Sequence, residues 1–354
     1  MWPRRELLDL LGIEHPILQA PMAGDATPAL AAAVSNAGGL GGLGCSGMTP
    51  DELRQQAGAI RAQTNRPFNL NFFAHPAPKP NAAADAATAA RLAPYYKERG
   101  LGQPPARAGG PTRFFGPEPL AAVLQLRPAV VSFHFGLPSP DAVAAIKAAG
   151  CRVISSATTV REAKSLEARG VDAVIAQGWE AGGHRGSFEP SADDAGVGTL
   201  ALVPQVVDAV KVPVIAAGGI ADGRGIAAAF MLGASGVQLG TAFLACPESA
   251  ADAVYRKALA SATDEDTRLS RAFSGRPART KRNRYVAAMA GETNLPEFPT
   301  MYAYSGPLIE SSEKAGDEDF LFLLYGQAAA LSRALPAAEL MAVLTEETKA
   351  LLQR

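Results

Sequence analysis

The sequence predicts an α/β fold, a (β/α)8 barrel (TIM barrel) carrying a smaller, mostly helical cap. Three observations carry that expectation. Eight short apolar runs alternate with alanine-rich helical stretches. Most of these runs are continuous rather than alternating, as strands covered on both faces should be. The longest connections follow strands rather than helices, on the side where barrels build their sites. An open doubly wound sheet is the alternative architecture for the same rhythm.

The strands are expected near Ile17–Ala20, Leu40–Gly44, Phe68–Phe73, Ala129–Phe133, Arg152–Ser156, Ala173–Ala176, Pro213–Ala217 and Gly236–Leu239. Between them, Thr27-Pro28 and Ser139-Pro140 offer an N-cap followed by proline in the first helical turn. Thr49-x-x-Glu52 and Thr159-x-x-Glu162 have capping-box spacing, and Gly150, Gly170 and Gly233 stand where helices should end. Two connections are long: His75 to about Gly116, rich in proline and alanine, and the loop Gly178–Gly198. After Cys246 the rhythm stops. The stretch to about Ala315 is charged and irregular, and two apolar helices are expected near Asp319–Ala334 and Pro336–Leu352. The division that follows is a barrel from 1–75, 117–248 and 316–354, with 76–116 and 249–315 forming a cap over its mouth.

Composition narrows the function classes. The chain has 354 residues, 48% hydrophobic and 19% charged, enough for one large domain with additions. A net charge of −1 gives no electrostatic footprint for nucleic acid or an anionic membrane. Cys45, Cys151 and Cys246 are far apart and odd in number, which argues for a reducing compartment and against zinc or a disulfide framework. No metal site is expected. The first residues do not read as a signal peptide, and no apolar run reaches the roughly 18 residues needed to span a bilayer. A cytoplasmic location is the expectation.

The most informative stretch is Ala176-Gln177-Gly178-Trp179-Glu180-Ala181-Gly182-Gly183-His184-Arg185-Gly186. It leaves an apolar strand, is too glycine-rich to continue as one, and sets an imidazole directly after Gly182 and Gly183, whose backbone can approach a ligand. His184 is the acid–base candidate, able to take up a proton or, when charged, to hold an anion. Ala217-Gly218-Gly219-Ile220 and Gln238-Leu239-Gly240-Thr241 follow the seventh and eighth strands, where barrels bind phosphate through backbone N–H groups. Neither a strand–GxGxxG–helix unit nor a P-loop is present, so the phosphate is expected to belong to a flavin mononucleotide or a phosphorylated metabolite.

Other strand ends add polar partners. Asn71 and Gln177 suit the carbonyls and ring nitrogens of an isoalloxazine, or simply cap their strands. Pro21 and Met22, in Gln19-Ala20-Pro21-Met22-Ala23-Gly24, suit one face of a flat ring or a plain turn. His134 faces the mouth or the core equally well between Phe133 and Phe135, and is carried as a candidate substrate contact. His15 reads as structural, His75 as solvated, and Cys45 as packing. The arginines from Arg276 to Arg284 read as a solvated cap surface, with closure on a substrate anion as the alternative.

The chain resembles the nitronate monooxygenases, formerly grouped with the 2-nitropropane dioxygenases. The resemblance rests on Gln19 through Gly24, Asn71 within Phe68–Phe72, Gln177 through Gly186, Ala216 through Gly219, and Gln238 through Thr241, in that order. It implies noncovalently bound FMN and oxidation of small anionic alkyl nitronates by dioxygen to a carbonyl compound and nitrite. It places Asn71, Gln177, Gly182, Gly219 and Gln238–Thr241 at FMN and makes His184 catalytic. Whether His184 acts as base or as electrostatic stabiliser stays open. The long 76–116 stretch departs from the resemblance and leaves substrate access open. The rivals are an FMN-dependent NAD(P)H enoyl-ACP reductase, which shares the loop, and a non-catalytic FMN-binding protein. An IMP-dehydrogenase-like reading lacks its cysteine after strand six. A monomer or homodimer is expected.

Overall fold

A computed structural model of the chain describes residues 2–108, 114–189 and 192–353, so part of the expected 76–116 cap segment lies outside the described residues. Eight parallel strands build the main sheet: β1 (Ile17–Gln19), β2 (Gly41–Gly44), β3 (Phe68–Phe73), β4 (Val130–His134), β5 (Arg152–Ala157), β6 (Ala173–Gln177), β8 (Val214–Ala217) and β9 (Gly236–Leu239). Their order is β1-β9-β8-β6-β5-β4-β3-β2. The two edges meet through a parallel bridge between Leu18 and Leu40. There Leu40 N donates to Ile17 O (3.1 Å) and Gln19 N to Leu40 O (2.9 Å), so the sheet closes into a (β/α)8 barrel rather than staying open.

The helix starts follow the sequence. Thr27 Oγ1 accepts from Leu30 N, Ser139 Oγ from Ala142 N, and Thr49 and Glu52 form a reciprocal capping box. Thr159 and Glu162 do not. Thr159 Oγ1 accepts from Glu162 N, but the fully buried Glu162 carboxylate turns away to Thr158 N and Oγ1 (both 2.7 Å). Its other oxygen accepts from Phe188 N (2.7 Å) and Glu189 N (3.1 Å), which anchors the loop that follows the glycine–histidine motif.

That loop is not wholly irregular. Gly183–His184 forms a two-residue strand, β7, and joins an antiparallel sheet with β10 (Thr267–Ser270) and β11 (Ala278–Lys281) in the order β10-β11-β7. His184 stands opposite Ala278, and Gly183 opposite Arg279. The expected irregular stretch 249–315 therefore carries two strands and three helices (Ala253–Ala260, Arg284–Ala288, Tyr302–Ala315). The 76–116 connection carries a long helix, Ala82–Glu98. Leu92, Tyr96, Phe273, Tyr285, Tyr304 and Phe320 form the buried cluster of this cap.

The helix expected near Asp319–Ala334 is absent. Residues there run without regular structure to a short 3-10 turn, Ala329–Leu331. The segment's carbonyls serve other elements instead of an internal helical ladder. Leu323 O accepts from Thr280 Oγ1 and Lys281 N (both 2.9 Å), Leu321 O from Asn283 Nδ2, and Leu324 O from the Tyr255 hydroxyl. Its apolar run satisfied the composition of a helix, but tertiary partners decided its conformation. The last helix, Ala337–Leu352, returns to the barrel and packs on Gly223–Met231 and Pro28–Asn36. Its Leu340, Met341 and Leu344 are buried, each worth about 1.5–3 kcal/mol of burial. Among the described residues no helix is long and apolar enough to cross a membrane.

Candidate active site

A cavity of about 320 Å³ opens at the C-terminal ends of the barrel strands, under the cap. Its volume lies in the range of small-molecule sites. Asn71, His134, Gln177 and Gln238 reach it from the ends of β3, β4, β6 and β9. Pro21, Met22, Gly182, Gly183, His184, Gly218, Gly219, Gly240 and Thr241 line it from the loops beyond the strands. Leu239 does not. Its side chain is 1% exposed in the barrel core, and its carbonyl accepts from Ala20 N, because alternate residues of a strand point to opposite faces.

One end of the cavity is backbone. Gly218 and Gly219 adopt φ of 106° and 70°, which turns the chain sharply after β8. Among the described residues no acceptor is bonded to the N–H groups of Gly218, Gly219, Gly240 and Thr241. Gly240 and Thr241 open the short helix Thr241–Leu244. Thr241 Oγ1 accepts from Gly326 N (3.0 Å), so its hydroxyl hydrogen is left for another partner. Asp222 turns its carboxylate onto Arg224 N and Gly225 N and caps its own helix instead. Four unpaired amides and a hydroxyl suit a phosphate.

Polar side chains of Asn71, Ser132 and Gln177 line the middle strand ends, with Asn69 outside the lining beneath Ser132. Asn69 and Asn71 both donate from Nδ2 to Ser132 Oγ (2.8 Å each). Ser132 therefore accepts twice and keeps its own hydrogen. Asn69 Oδ1 is buried with no partner. Gln177 has both ends of its amide engaged: Nε2 donates to His184 O (3.0 Å) and Oε1 accepts from Gly186 N (2.7 Å). A Cβ at Gly183 would meet nothing within 4 Å, so the backbone there is open to a ligand. The residues present fit a flavin mononucleotide: unpaired amides at one end, the Asn71 amide beside the Ser132 hydroxyl in the middle, and bare backbone at Gly183.

The other end is built around His184. Four aromatic rings surround it edge-on, with centroids at 6.0 Å (Phe73), 5.9 Å (Phe135), 5.4 Å (Phe298) and 5.9 Å (Phe322). Burial among them, with smaller contributions from His134, Arg276 and His75, pushes its pKa down to about 3. The ring is neutral at physiological pH. Its Nε2 lies 2.8 Å from Ser274 Oγ. His134 Nε2 donates to the His184 carbonyl (3.0 Å), and its Nδ1 accepts from the Ser156 hydroxyl (3.0 Å). Burial holds His134 at about 4, so it is a neutral brace for the loop. Phe135 has φ 67°, a strained value for a non-glycine residue. It lies 4.1 Å under the Arg276 guanidinium.

The cap arginines divide: Arg282 and Arg284 lie on the exposed surface as expected, whereas Arg276 and Arg279 are drawn inward. Arg279 is 4% exposed and gives two hydrogen bonds to Trp179 O (2.7 and 3.1 Å). Arg276 is half-buried and donates to Ser187 O, and Arg284 is paired with Glu98 and Asp319. The motif's own Arg185 is fully buried and donates to Gly178 O (2.6 Å). Three successive carbonyls, 177 to 179, are thus held by guanidinium groups. Gly182 crosses Gly326 so closely that a Cβ on it would stand 2.5 Å from Gly326 N. His75 is packed rather than solvated, against Phe114 and Phe298. Cys45 is buried and its thiol is pushed up to about 12, as packing requires.

Sequence reasoning missed Ser274, Phe298, Tyr302, Phe322 and Gly326. Each is distant in sequence from the motif, and nothing in its local pattern marks it.

The profile of the family described as nitronate monooxygenase matches residues 4–347. The chain is 48% identical over 351 residues to a nitronate monooxygenase of Paraburkholderia phytofirmans, covering 98% of this chain and 95% of that one. A nitronate monooxygenase of Pseudomonas aeruginosa is 48% identical over 344 residues, covering 96% and 98%. Among solved structures, nitroalkane oxidase from Streptomyces ansochromogenes superposes with a TM-score of 0.91 at 41% identity, covering 98% and 99%. FabK from Thermotoga maritima superposes at 0.76 with 33% identity, covering 100% and 98%.

Proposed function

The chain belongs to the nitronate monooxygenase family, a flavin-dependent group of nitronate-oxidising enzymes, and on that premise we propose that it holds FMN and oxidises small alkyl nitronates with dioxygen. The products are a carbonyl compound and nitrite. The observation that carries this reading is the pairing, in one cavity, of unpaired amides at Gly218, Gly219, Gly240 and Thr241 with a caged, neutral His184 at the far end.

The amides and the Thr241 hydroxyl would hold the phosphate, and Asn71 with Ser132 would meet the ring. Bound flavin supplies the electron acceptor that no side chain here offers. The protein's own work is enclosure and proton placement. Phe73, Phe298 and Phe322 pack around His184 and limit the water that reaches it, which strengthens any charge interaction made there. Arg276, set on Phe135 beside the cage, gives that end a positive field suited to an anionic substrate. His134, Gln177 and the buried arginines hold the loop, so the imidazole meets substrate without rearranging.

The decisive test is anaerobic. Purified yellow protein mixed with propionate 3-nitronate should lose its visible flavin absorbance within one turnover, and NADH should do this far more slowly. Rapid bleaching by NADH and none by nitronate would instead favour an enoyl reductase. Bleaching by neither would leave a flavin-binding protein without this chemistry.

A further inference from the structure

We propose that Ser274 is a positioning residue: its hydroxyl takes the Nε2–H of His184 and leaves the Nδ1 lone pair as the atom the imidazole offers to the cavity. Ser274 is fully buried in the cap turn Ser274-Gly275-Arg276. A Cβ at Gly275 would lie 2.3 Å from Pro296 O, so this turn is pressed against the 296–298 backbone and has little freedom to shift.

Three groups surround Ser274 Oγ: His184 Nε2 at 2.8 Å, Arg276 N at 3.3 Å and Arg276 O at 3.2 Å. A hydroxyl has one hydrogen and two lone pairs. The Arg276 N–H can only donate, and it occupies one lone pair. The Arg276 carbonyl can only accept, and among the described residues Ser274 is its donor. The hydroxyl hydrogen therefore goes to that carbonyl, and the remaining lone pair faces Nε2. Nε2 must then carry the hydrogen. The reverse arrangement, with the hydroxyl donating to Nε2, strips the carbonyl of the donor it has among the described residues. Among the described residues no group bonds Nδ1. The main chain of His184 is fixed as well, because its carbonyl accepts from both His134 and Gln177.

The consequence for chemistry rests on the function proposed above. A bare Nδ1 accepts a proton and cannot donate one. With a neutral nitro compound bound, the α C–H bond breaks, its hydrogen goes to Nδ1, and its electron pair enters the C–N bond. The negative charge settles on the nitro oxygens, giving the nitronate in place, and that anion beside the ring offsets the burial that otherwise keeps the imidazole neutral.

The test is the tautomer itself. Long-range proton–nitrogen correlation of the holoenzyme labelled with ¹⁵N-histidine, at pH 8, should show His184 protonated at Nε2 and bare at Nδ1. The His184→Asn variant assigns the signals. Ser274→Ala should move His184 toward the Nδ1–H form and lower kcat/KM for a neutral nitroalkane about tenfold at unchanged flavin content. Ser274→Thr should restore the wild-type pattern. A wild-type ring protonated at Nδ1 would overturn the proposal, as would a Ser274→Ala ring that keeps Nε2–H with full turnover. Should Ser274→Ala fail to fold, the wild-type and Ser274→Thr spectra still decide the tautomer. An Nε2–H ring in a protein whose flavin no nitronate bleaches would keep Ser274's role and discard the catalytic reading.

Discussion

At the Gly218–Thr241 end, the cavity is walled by the backbone of two neighbouring barrel strands and their next residues. At the His184 end, each wall comes from a different part of the chain: Phe73 from β3, Phe135 after β4, Ser274 and Phe298 from the cap, Phe322 from the segment beyond it. The first end depends on local turns, the second on long-range packing. The first end is thus nearly finished by the barrel's own turns, while the surroundings of His184 wait for the cap.

That contrast can be broken experimentally, beginning where the effect is largest. His184→Asn should lower kcat/KM for a neutral nitroalkane by about 10²–10⁴ while flavin stays bound, since the loop's backbone bonds are retained. Loss of flavin together with activity would show that the two ends are not separable. Acid should strike the histidine end next. His184 and His134 titrate at about 3 and about 4 in the folded chain, well below the ordinary value of 6.5. An unfolded chain therefore takes up protons that the folded one refuses. Their contribution to stability is complete above about pH 6.5 and is lost as pH falls toward 4 and 3. Cavity water softens the penalty, so urea unfolding should show a combined loss of about 2 kcal/mol between pH 6.5 and 5. His134→Gln should reduce that loss, and an unchanged slope would place the acid sensitivity elsewhere. The smallest effect belongs to the backbone end. A Cβ at Gly240 would stand 3.4 Å from Ala20 Cβ and 3.9 Å from Met22 Sδ, contacts the fold can take. Gly240→Val should keep its melting temperature and weaken FMN about tenfold, read by flavin release during dialysis.

The same division explains what could be read from the chain alone. The barrel strands and their glycine turns are legible because apolar runs, caps and Gly218-Gly219 each act on neighbours in sequence. Gly182, Gly183 and His184 were legible as a loop that could not continue β6. The cage was not, because no pattern links Phe298 or Ser274 to residue 184. Phe320 through Tyr325 misled for the same reason: an apolar run of that length suits a helix, and only its distant partners, Thr280, Lys281 and Asn283, make it extended. Leu239 erred by register, since it neighbours cavity residues in sequence but points the other way. Glu162 carried the spacing of a cap and serves instead as an anchor for residues 188 and 189.

The crossing of Gly182 with Gly326 has a consequence for how the molecule comes into being. A polypeptide emerges from the ribosome in sequence order. The glycine turns after β8 and β9 are made well before residue 326, whose N–H bonds the Thr241 hydroxyl. The loop before His184 and the Thr241 hydroxyl therefore both gain their Gly326 contacts late, when most of the chain has already been made. Until that moment neither end of the cavity has its full set of contacts.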